Sequence, residues 1–465
     1  MEQNDIIFDG FLERGGESVP VQISYASKFS VFVTFAANQG PEHGTEYEKL
    51  VIIIEGKNFE FSSCRIIIEQ NPDNHTARLV FLTDLFDFNN LFFEKKLVNL
   101  ETLSRNLSLI LSQKEMVKDT FKQYITNLAY DLKVYQQFFD DLDRKSSQEP
   151  EPVRNAISNA LITSEGKKFG AFYQEKLDEL ERLISSYTDE EHKIHGFYLR
   201  KQMWDIILRS EFMTRTNIKP RGYAGDSVMM RMLYENAYRG DSTFGRILNK
   251  FGLEVPAAQS VRNRRLMIPG ILRQVQQEFA ARGEEKLRFM SLACGPAYEL
   301  SDFFVTADDS VTFQCVLLDQ DTEALSEAEQ NIHGIEKKLG RRIQVVYLQD
   351  SVRTMLRTPE VHKKWGRFSF IYSMGLFDYL TQPVAKAVIE KIYTLLEPGG
   401  KMLIGNYHVQ NRSRWFMEYW LDWVLYYRTE EEMIDILRDT GSTDASIIFE
   451  ESKCQMFLLA KKPLQ

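Results

Sequence analysis

One glycine and two aspartates follow three apolar runs, each of which is typical of a buried parallel strand. Gly295 follows the first run, Asp319 ends the second and Asp350 ends the third. A carboxylate after the second strand can accept hydrogen bonds from both ribose hydroxyls of a nucleoside, and Asp350 can accept from an adenine amino group. Gly295 permits a tight turn and close backbone approach. The spacing favours a nucleoside site over a glycine turn that merely connects two elements.

The elements that must position these residues alternate between strand and helix after about Leu287. Apolar runs predict five strands, at Arg288–Ala293, Phe313–Leu318, Arg342–Leu348, Phe368–Met374 and Met402–Asn406. Helical patterns lie between them at Ala324–Leu339 and Val384–Leu396, and a hairpin follows at Ala445–Glu450 and Gln455–Ala460. This order predicts a doubly wound α/β sheet with a terminal antiparallel hairpin, in which the strand ends meet at one edge.

The upstream half of the chain has a different character. The first 96 residues predict a small β-barrel or sandwich, with strand-forming runs at Val19–Ile23, Phe29–Phe35, Leu50–Glu55, Phe59–Glu69 and Thr76–Leu82. From Leu97 apolar residues recur at three- and four-residue intervals, which predicts one or two long helices. Asp140–Val153 is polar and contains two prolines, so it is a candidate linker.

These patterns divide the chain into four segments. The predicted segments are a β-barrel at 1–96, a helical linker at 97–150, a helical lid or substrate region at 151–284 and an α/β domain at 285–465. Within the third segment, helical patterns are found at Phe169–Ser186, Glu190–Ser210 and Val228–Tyr238.

Composition excludes several classes of protein. The net charge of −9, from 57 basic and 66 acidic residues, argues against a general nucleic-acid binder. An 18-residue apolar run, which a membrane span requires, does not occur, and the N-terminus lacks a signal-peptide pattern. The four cysteines lie far apart without zinc-site spacing, which predicts reduced thiols, no metal site and a cytoplasmic location.

The strand-end residues, the LLEPGG turn at 395–400 and the terminal hairpin together resemble the class I S-adenosylmethionine-dependent methyltransferases. The resemblance covers about residues 287–464, and NAD-dependent Rossmann enzymes lack the hairpin. The first loop, ACGPA, has one glycine where the family commonly has E/DxGxGxG, although a CGP variant occurs there. By this resemblance Gly295 would approach the methionine part of S-adenosylmethionine (SAM), Asp319 its ribose and Asp350 its adenine. The full cofactor set that it implies is Ala293, Cys294, Gly295, Pro296, Glu299, Asp319, Gln320, Gln349, Asp350, Ser351, Ser373, Met374 and Gly375.

Four segments resemble a narrower bacterial family, the PhcB-like proteins of 3-hydroxypalmitate methyl ester biosynthesis. The segments are HGFYLR at 195–200, KPRGYAGD at 219–226, YSMGLFDYL at 372–380 and WVLYYRT at 423–429. This resemblance covers about residues 160–465. It implies methyl transfer to a small, lipophilic carboxylic acid similar to a 3-hydroxy fatty acid, giving a methyl ester.

A carboxylate acceptor would need alignment rather than a strong base, because methyl transfer from a sulfonium is an in-line displacement. It would also need a cationic or hydroxyl clamp and an apolar tunnel. The residues expected at the reacting group are Tyr223, Arg200, Tyr426, Arg428 and His195. The residues expected to bind the rest of the substrate are Arg221, Gly222, Asp226, Phe377 and Tyr379. His195 would serve as base only for a hydroxyl or amine acceptor.

Several of these residues also have a purely structural interpretation. A lone histidine is more often structural, Gly222 and Gly225 can serve a sharp turn, and Asp226 can cap the helix that follows. The aromatic run 415–423 favours a packed helix over a substrate wall. Arg262, Arg264 and Arg265 are expected on a solvated face, with phosphate or partner binding as the less favoured alternative.

The β-rich start followed by a long helix resembles a degenerate PilZ domain, a class that binds cyclic di-GMP through an RxxxR pair and a D/NxSxxG motif. Here Tyr25–Ser30 keeps Ser27 but lacks the aspartate and the glycine, and Arg14 has no arginine four residues away. The sequence therefore predicts no cyclic di-GMP binding through the usual residues. A docking or dimerisation barrel, compatible with a homo-oligomer, is the preferred alternative.

Three functions stay open at this level. The first is a SAM-dependent methyltransferase of a small acid, and the second is a methyltransferase of another small-molecule or protein acceptor. The third is a SAM- or nucleotide-binding regulatory protein with the PilZ-like barrel as its input. The helical segments with GYAGD favour an enzyme, because a pure sensor would not need a second substrate wall.

Overall fold

The computed structural model describes residues 7–27, 30–36, 45–54, 57–67, 76–81, 111–305, 312–442 and 444–464. The chain divides into two compact units, residues 1–113 with 352–359, and residues 114–351 with 360–465. The first part of the predicted helix after Leu97, up to residue 110, lies outside the described residues. The four-segment division stays a prediction.

The first unit contains a closed, antiparallel, six-stranded barrel with the strand order β1-β2-β3-β6-β5-β4. The strands are β1 Ile7–Arg14, β2 Glu17–Ser27, β3 Ser30–Phe35, β4 Glu46–Ile54, β5 Lys57–Ile67 and β6 Thr76–Phe81. Alternate side chains fill its interior, including Leu12, Ile23, Val33, Leu50 and Leu79, all fully buried. The predicted small barrel is confirmed, whereas its PilZ identity stays a prediction.

The second unit begins with a helical region that the sequence pattern largely anticipated. Its helices are α1 Asp119–Lys145, α2 Glu151–Ile184, α3 Asp189–Gln202, α4 Trp204–Ile207, α5 Glu211–Ile218, α6 Ser227–Glu235, α7 Thr243–Glu254 and α8 Pro256–Ala281. The predicted linker Asp140–Val153 is wrong for most of its length, because helix covers all but 146–150. Its two prolines stand at the start of α2, where a missing N–H breaks no helical hydrogen bond.

The rest of the second unit is a seven-stranded sheet with helices between its strands. The strands are β7 Lys286–Leu292, β8 Thr312–Asp319, β9 Gln344–Gln349, β10 Phe368–Ser373, β11 Leu396–Tyr407, β12 Asp444–Phe449 and β13 Gln455–Lys461. Its helices are α9 Glu299–Phe304, α10 Thr322–Leu339, α12 Val361–Trp365, α13 Gln382–Leu395, α14 Arg414–Trp420 and α15 Glu430–Asp435. Helix α11, Val352–Arg357, follows β9 in the chain but is grouped with the first unit.

The strand order of this sheet is β12-β13-β11-β10-β7-β8-β9. Strands β7 to β11 are parallel, while β13 pairs antiparallel with β11 and with β12. The predicted α/β sheet with a terminal hairpin is therefore confirmed. The chain leaves β7 toward β8 on one side, and β10 lies on the other, so the carboxyl ends of β7 and β10 form the switch point where such sheets bind ligands.

Helix α8 connects the helical region with the sheet. Ala257 and Val261 near its start belong to the helical core, whereas Ile268 and Leu272 belong to the core against the sheet. The middle of α8 therefore lies where the two apolar cores meet. No helix in the described part of the chain is long and apolar enough to span a membrane.

Candidate active site

The loop after β7 has an unusual backbone. Ala293, Gly295 and Ala297 all have positive φ, at 54°, 54° and 51°. Such angles are costly for alanine, and strain of this kind is concentrated at functional sites. A Cβ built on Gly295 would meet nothing within 4 Å, so there is open space beside the loop. The loop is also tied to helix α10, because the Pro296 carbonyl accepts a hydrogen bond from the side chain of Asn331 at 2.7 Å.

Asp319, at the end of β8, binds the backbone of this loop through its carboxylate. Its Oδ2 accepts the Gly295 N–H at 2.8 Å and its Oδ1 accepts the Asp321 N–H at 3.0 Å. Burial raises the pKa of the Asp319 carboxyl, and these backbone donors oppose the rise. Two carboxylate oxygens offer about four acceptor positions, so Asp319 keeps capacity for further donors.

Asp350 follows β9 beside this arrangement. Its N–H donates to the Asp319 carbonyl at 3.1 Å, and its carboxylate accepts from the Ser351 N–H at 2.9 Å and from Lys364 at 2.8 Å. Gln320 and Gln349 are exposed at the ends of their strands. The structure thus brings together the predicted residues at the ends of β8 and β9.

The end of β10 completes this edge of the sheet. The Ser373 hydroxyl donates to the Leu292 carbonyl at 2.9 Å, which ties the ends of β10 and β7 together. Met374 is 8% exposed, and the thiol of Cys294 is buried, which raises its pKa. Glu299 was predicted at the cofactor, yet its side chain is buried and accepts a hydrogen bond from Tyr372 at 2.8 Å. It therefore faces the core from the start of α9.

The GYAGD loop packs against two strand ends of the sheet. Arg221 pairs with Asp321 at 2.7 Å and also with Glu323, and the Tyr223 hydroxyl lies 3.4 Å from Asp321. A Cβ on Gly225 would lie 2.8 Å from the Tyr379 hydroxyl, which accepts the indole N–H of Trp423 at 2.9 Å. Trp423 is itself buried in the helical core.

Asp226 has a structural role in holding the GYAGD loop. It is 1% exposed, caps α6 by accepting the Met229 N–H at 2.9 Å, and makes a bidentate ion pair with Arg215. Gly222 is exposed with φ of 83°. The structural interpretation of Asp226 therefore fits the geometry better than direct substrate contact.

Three predicted reactive residues have their polar atoms occupied by the protein. His195 is fully buried in the helical core, where Nδ1 donates to the Glu191 carbonyl at 2.7 Å and Nε2 accepts the Lys118 N–H at 3.1 Å. Arg200 donates to the Glu418 carbonyl at the end of α14 at 2.9 Å and pairs with Asp422 at 2.8 Å. This geometry does not support the prediction that these two act on the acceptor, because both ring nitrogens of His195 and both terminal nitrogens of Arg200 are engaged by the protein.

The predicted role of Arg428 at the acceptor is not supported either, because its guanidinium is engaged by the protein. It is 3% exposed and donates to the carbonyls of Phe377 at 2.9 Å and Leu380 at 2.6 Å, and to the side chains of Asn406 and Gln382. It fixes the loop after β10 to β11. Phe377 in that loop is fully buried, whereas Tyr426 and Tyr379 are 51% and 39% exposed.

Asp378, in the same loop, was not singled out from the sequence. It is 2% exposed, and its Oδ1 accepts the Tyr407 N–H at 2.6 Å. Burial raises its pKa to about 6. Its signal in the sequence is its position inside GLFDYL, next to the predicted substrate residue Tyr379.

For Arg264 the sequence pattern predicts the wrong environment. The expected solvated face is wrong for it, because Arg264 is 6% exposed and donates to the Met374 carbonyl at 3.1 Å. The spacing of the residues indicates that Arg264 is buried, because Val261, Arg264 and Ile268 share one helical face and both apolar residues are buried. Arg262 and Arg265 are partly buried and partnered by Leu233 and Asp302 respectively.

The loop strain supports a prediction for Gly295→Ala. Since no atom obstructs a Cβ there, the cost is backbone strain of about 1–2 kcal/mol from the positive φ. We expect a lower melting temperature and weaker binding of S-adenosylhomocysteine (SAH), both measurable on the purified protein. Gly334→Ala, in the interior of α10 with equally open surroundings, is the control and should be neutral or stabilising. Equal behaviour of the two variants would contradict the role of loop strain.

Asp378 predicts a pH dependence of stability. Its folded pKa of about 6 exceeds the ordinary 3.8, so between about pH 4 and pH 6 the folded protein holds a proton that the unfolded chain has lost. This contribution therefore stabilises at low pH and is lost as pH rises through 6. Asp378→Asn should reduce that fall in melting temperature between pH 4.5 and 6.5, whereas the exposed Asp444→Asn should not. An unchanged pH profile in Asp378→Asn would contradict the assignment.

Several solved structures are similar to this chain. A possible exported protein from Bordetella parapertussis is 16% identical, with 59% of this chain and 87% of that chain covered and a TM-score of 0.40. Magnesium protoporphyrin IX methyltransferase (ChlM) from Synechocystis PCC 6803 with bound SAM is 10% identical, covering 44% of this chain and 83% of its own, with a TM-score of 0.32. The CurJ carbon methyltransferase is 13% identical, covering 62% and 71%, with a TM-score of 0.36. No protein-family model and no curated protein sequence matches this chain.

The strand order carries the assignment of the fold. Five parallel strands, a switch point between β7 and β10 and an antiparallel hairpin inserted beside β11 define the class I methyltransferase fold. The second unit has a mixed sheet consistent with this fold, with the helical region α1–α8 added before it.

Proposed function

We propose that this protein transfers the methyl group of SAM to a small, lipophilic carboxylic acid similar to a 3-hydroxy fatty acid, giving a methyl ester and SAH. The observation that carries the cofactor part is Asp319, a buried carboxylate at the end of β8 that holds the N–H of Gly295 and keeps free acceptor capacity. SAM, when bound, supplies an electrophilic methyl group on a sulfonium.

In this proposal the strand-end residues hold the nucleoside and the amino-acid part of SAM. Asp319 accepts from the ribose hydroxyls, and Asp350 accepts from the adenine amino group. The open space beside Gly295 accommodates the methionine part, because the Cβ-free, left-handed backbone leaves room next to the loop. The GYAGD loop, which is tied to Asp321 by Arg221, excludes water from this edge.

An acid acceptor suits the surroundings of the strand ends. A carboxylate is nucleophilic at neutral pH and needs no proton removal, whereas a hydroxyl or amine acceptor would need a base. His195, the base proposed for such an acceptor, has both ring nitrogens engaged by Lys118 and Glu191. Tyr379 and Tyr426 are exposed and are proposed to contact the acceptor.

A small apolar cavity lies in the core of the helical region. It has a volume of about 10 Å³ and is lined by Phe212, Leu233, Val255, Ala257, Ala258, Val261, Tyr407, Met417, Leu421 and Trp423. It holds little more than one water-sized group, so an alkyl chain would enter only as the lining moves. Met417 has the flexible side chain that such a movement requires.

Transfer of a labelled methyl group from SAM tests this proposal. The purified protein is incubated with labelled SAM and with matched sets of 3-hydroxy acids, alcohols and amines, and the extracted products are analysed. We expect label in base-labile methyl esters of the acids. Label only in ethers or methylamines would replace the acid by another acceptor. SAH binding without transfer to any acceptor would favour the regulatory alternative.

The N-terminal barrel is proposed to be a degenerate PilZ-type domain that mediates docking or dimerisation. The barrel sequence lacks the paired arginines of that class, so no cyclic di-GMP binding through the usual residues is expected. Deleting residues 1–96 should change turnover or oligomeric state if the barrel is coupled to the rest of the protein. Unchanged turnover and unchanged mass by light scattering would contradict the coupling.

A further inference from the structure

The middle of α8 holds an arginine in an unusual setting. Arg264 is 6% exposed and lies where the helical core and the sheet core meet. It donates to neutral groups, namely the Met374 carbonyl at 3.1 Å, the Gln455 side-chain oxygen at 3.4 Å and the Met230 sulfur at 3.5 Å, and it also interacts with the Tyr234 hydroxyl. A buried guanidinium is costly unless a negative charge or strong acceptors compensate it.

Two buried donors at this position have no acceptor. The Nε of Arg264 and the Nε2 of Gln455 both lack a hydrogen-bond partner, and Gln455 is fully buried. Gln455 opens β13, which runs antiparallel to β11, so it lies at the same sheet edge as the carboxyl ends of β7 and β10. Unsatisfied buried donors are uncommon in folded proteins, and these two belong to side chains that are in hydrogen-bond contact with each other.

The location matches the switch point of the sheet. The Met374 carbonyl and Gly375 directly follow β10, and a Cβ on Gly375 would lie 3.3 Å from a terminal nitrogen of Arg264. Two buried acidic groups, Glu299 and Asp378, interact electrostatically with Arg264. Burial raises the pKa of each, and the charge of Arg264 partly offsets that rise.

We propose that Arg264, assisted by Gln455, binds a carboxylate of a ligand at the end of β10. This inference rests on the proposed function and names the chemistry of one subsite within it. The planar guanidinium presents donors in a fork that matches a carboxylate, and Gln455 adds a further N–H. Met230, a flexible side chain with a weakly accepting sulfur, occupies one donor and gives way to the stronger acceptor.

Two ligands of the proposed reaction carry such a group. One is the amino-acid end of SAM and SAH, and the other is the acid acceptor. Binding measurements separate them, because 5′-methylthioadenosine has the nucleoside of SAH without its carboxylate. Dodecanoate, added to protein saturated with SAH, serves as the acceptor probe.

The test compares Arg264→Met with Arg265→Met, which removes the same charge from the adjacent position on α8. Calorimetry is performed with SAH, with methylthioadenosine and with dodecanoate on the SAH-loaded protein. If Arg264 binds the cofactor carboxylate, Arg264→Met should lose about 10-fold or more in SAH affinity and keep its affinity for methylthioadenosine. If Arg264 binds the acceptor, SAH affinity is kept and dodecanoate affinity falls by a similar factor. Arg265→Met should behave as the wild type in either case.

Several results would overturn this assignment. Wild-type affinities of a folded Arg264→Met variant for both carboxylate probes would do so, and so would equal losses for SAH and methylthioadenosine. If Arg264→Met does not fold, Arg264→Lys replaces it, with a partial loss expected and wild-type affinities as the contradiction. Wild-type protein that binds neither SAH nor methylthioadenosine contradicts the proposed function instead, a result read without any variant. Should dodecanoate binding still depend on Arg264 there, the carboxylate site stands; should dodecanoate also fail to bind, both proposals fall.

Discussion

Replacing Asp319 by asparagine is expected to weaken SAH binding by about 30- to 150-fold, from a loss of roughly 2–3 kcal/mol. Two effects combine in this variant. The ribose hydroxyls lose a charged acceptor, and the new amide NH₂ opposes either the Gly295 or the Asp321 N–H that the carboxylate now accepts. Calorimetry with SAH measures the change directly.

The control for this substitution is Asp444→Asn, an exposed aspartate on the edge strand β12. It makes the same chemical change away from the strand ends and should leave SAH affinity as in the wild type. A folded Asp319→Asn variant that binds SAH as tightly as the wild type would remove Asp319 from the site.

Replacing Asp226 by alanine is expected to have the largest effect on stability, about 2–4 kcal/mol. The variant loses the N-cap of α6 and leaves Arg215 without its bidentate partner. The Arg215 side chain is 21% exposed, so it can recover part of its solvation, which keeps the cost below the upper limit for buried pairs. The melting temperature should fall, and amides at the start of α6 should exchange faster with solvent.

Asp226→Asn separates the two contributions. Asparagine keeps an acceptor for the Met229 N–H but removes the charge that pairs with Arg215. It should therefore be more stable than the alanine variant by about 1 kcal/mol, the usual contribution of a cap. Identical amide protection in both variants would show that the cap adds nothing to α6.

The order of the elements was largely predictable from the sequence. The buried parallel strands are continuous apolar runs, and their predicted positions agree with β7 to β11 within a few residues at most boundaries. The sequence pattern does not indicate strand β1, because Gly10 interrupts its alternation and its last two residues, Glu13 and Arg14, are charged. The prolines near 150 predict a linker, whereas in the structure they stand at the start of α2, where proline is well tolerated.

The candidate site was predictable where backbone position determines it and not where side-chain contacts do. Gly295, Asp319 and Asp350 are located by strand ends alone, so their positions follow from the pattern. The occupation of Arg428 by the carbonyls of Phe377 and Leu380 depends on the path of a loop that periodicity does not describe. Arg264 was misplaced because a run of arginines indicates solvent, although its helical face indicated burial.

The most direct test of the central proposal is calorimetry of the wild-type chain with SAH and with NAD. A SAM-dependent methyltransferase should bind SAH at one site per chain and should show no comparable heat with NAD, whose second nucleotide has no counterpart in the proposed site. Binding of NAD with no binding of SAH would contradict the proposal at its centre, whatever acceptor is later tried.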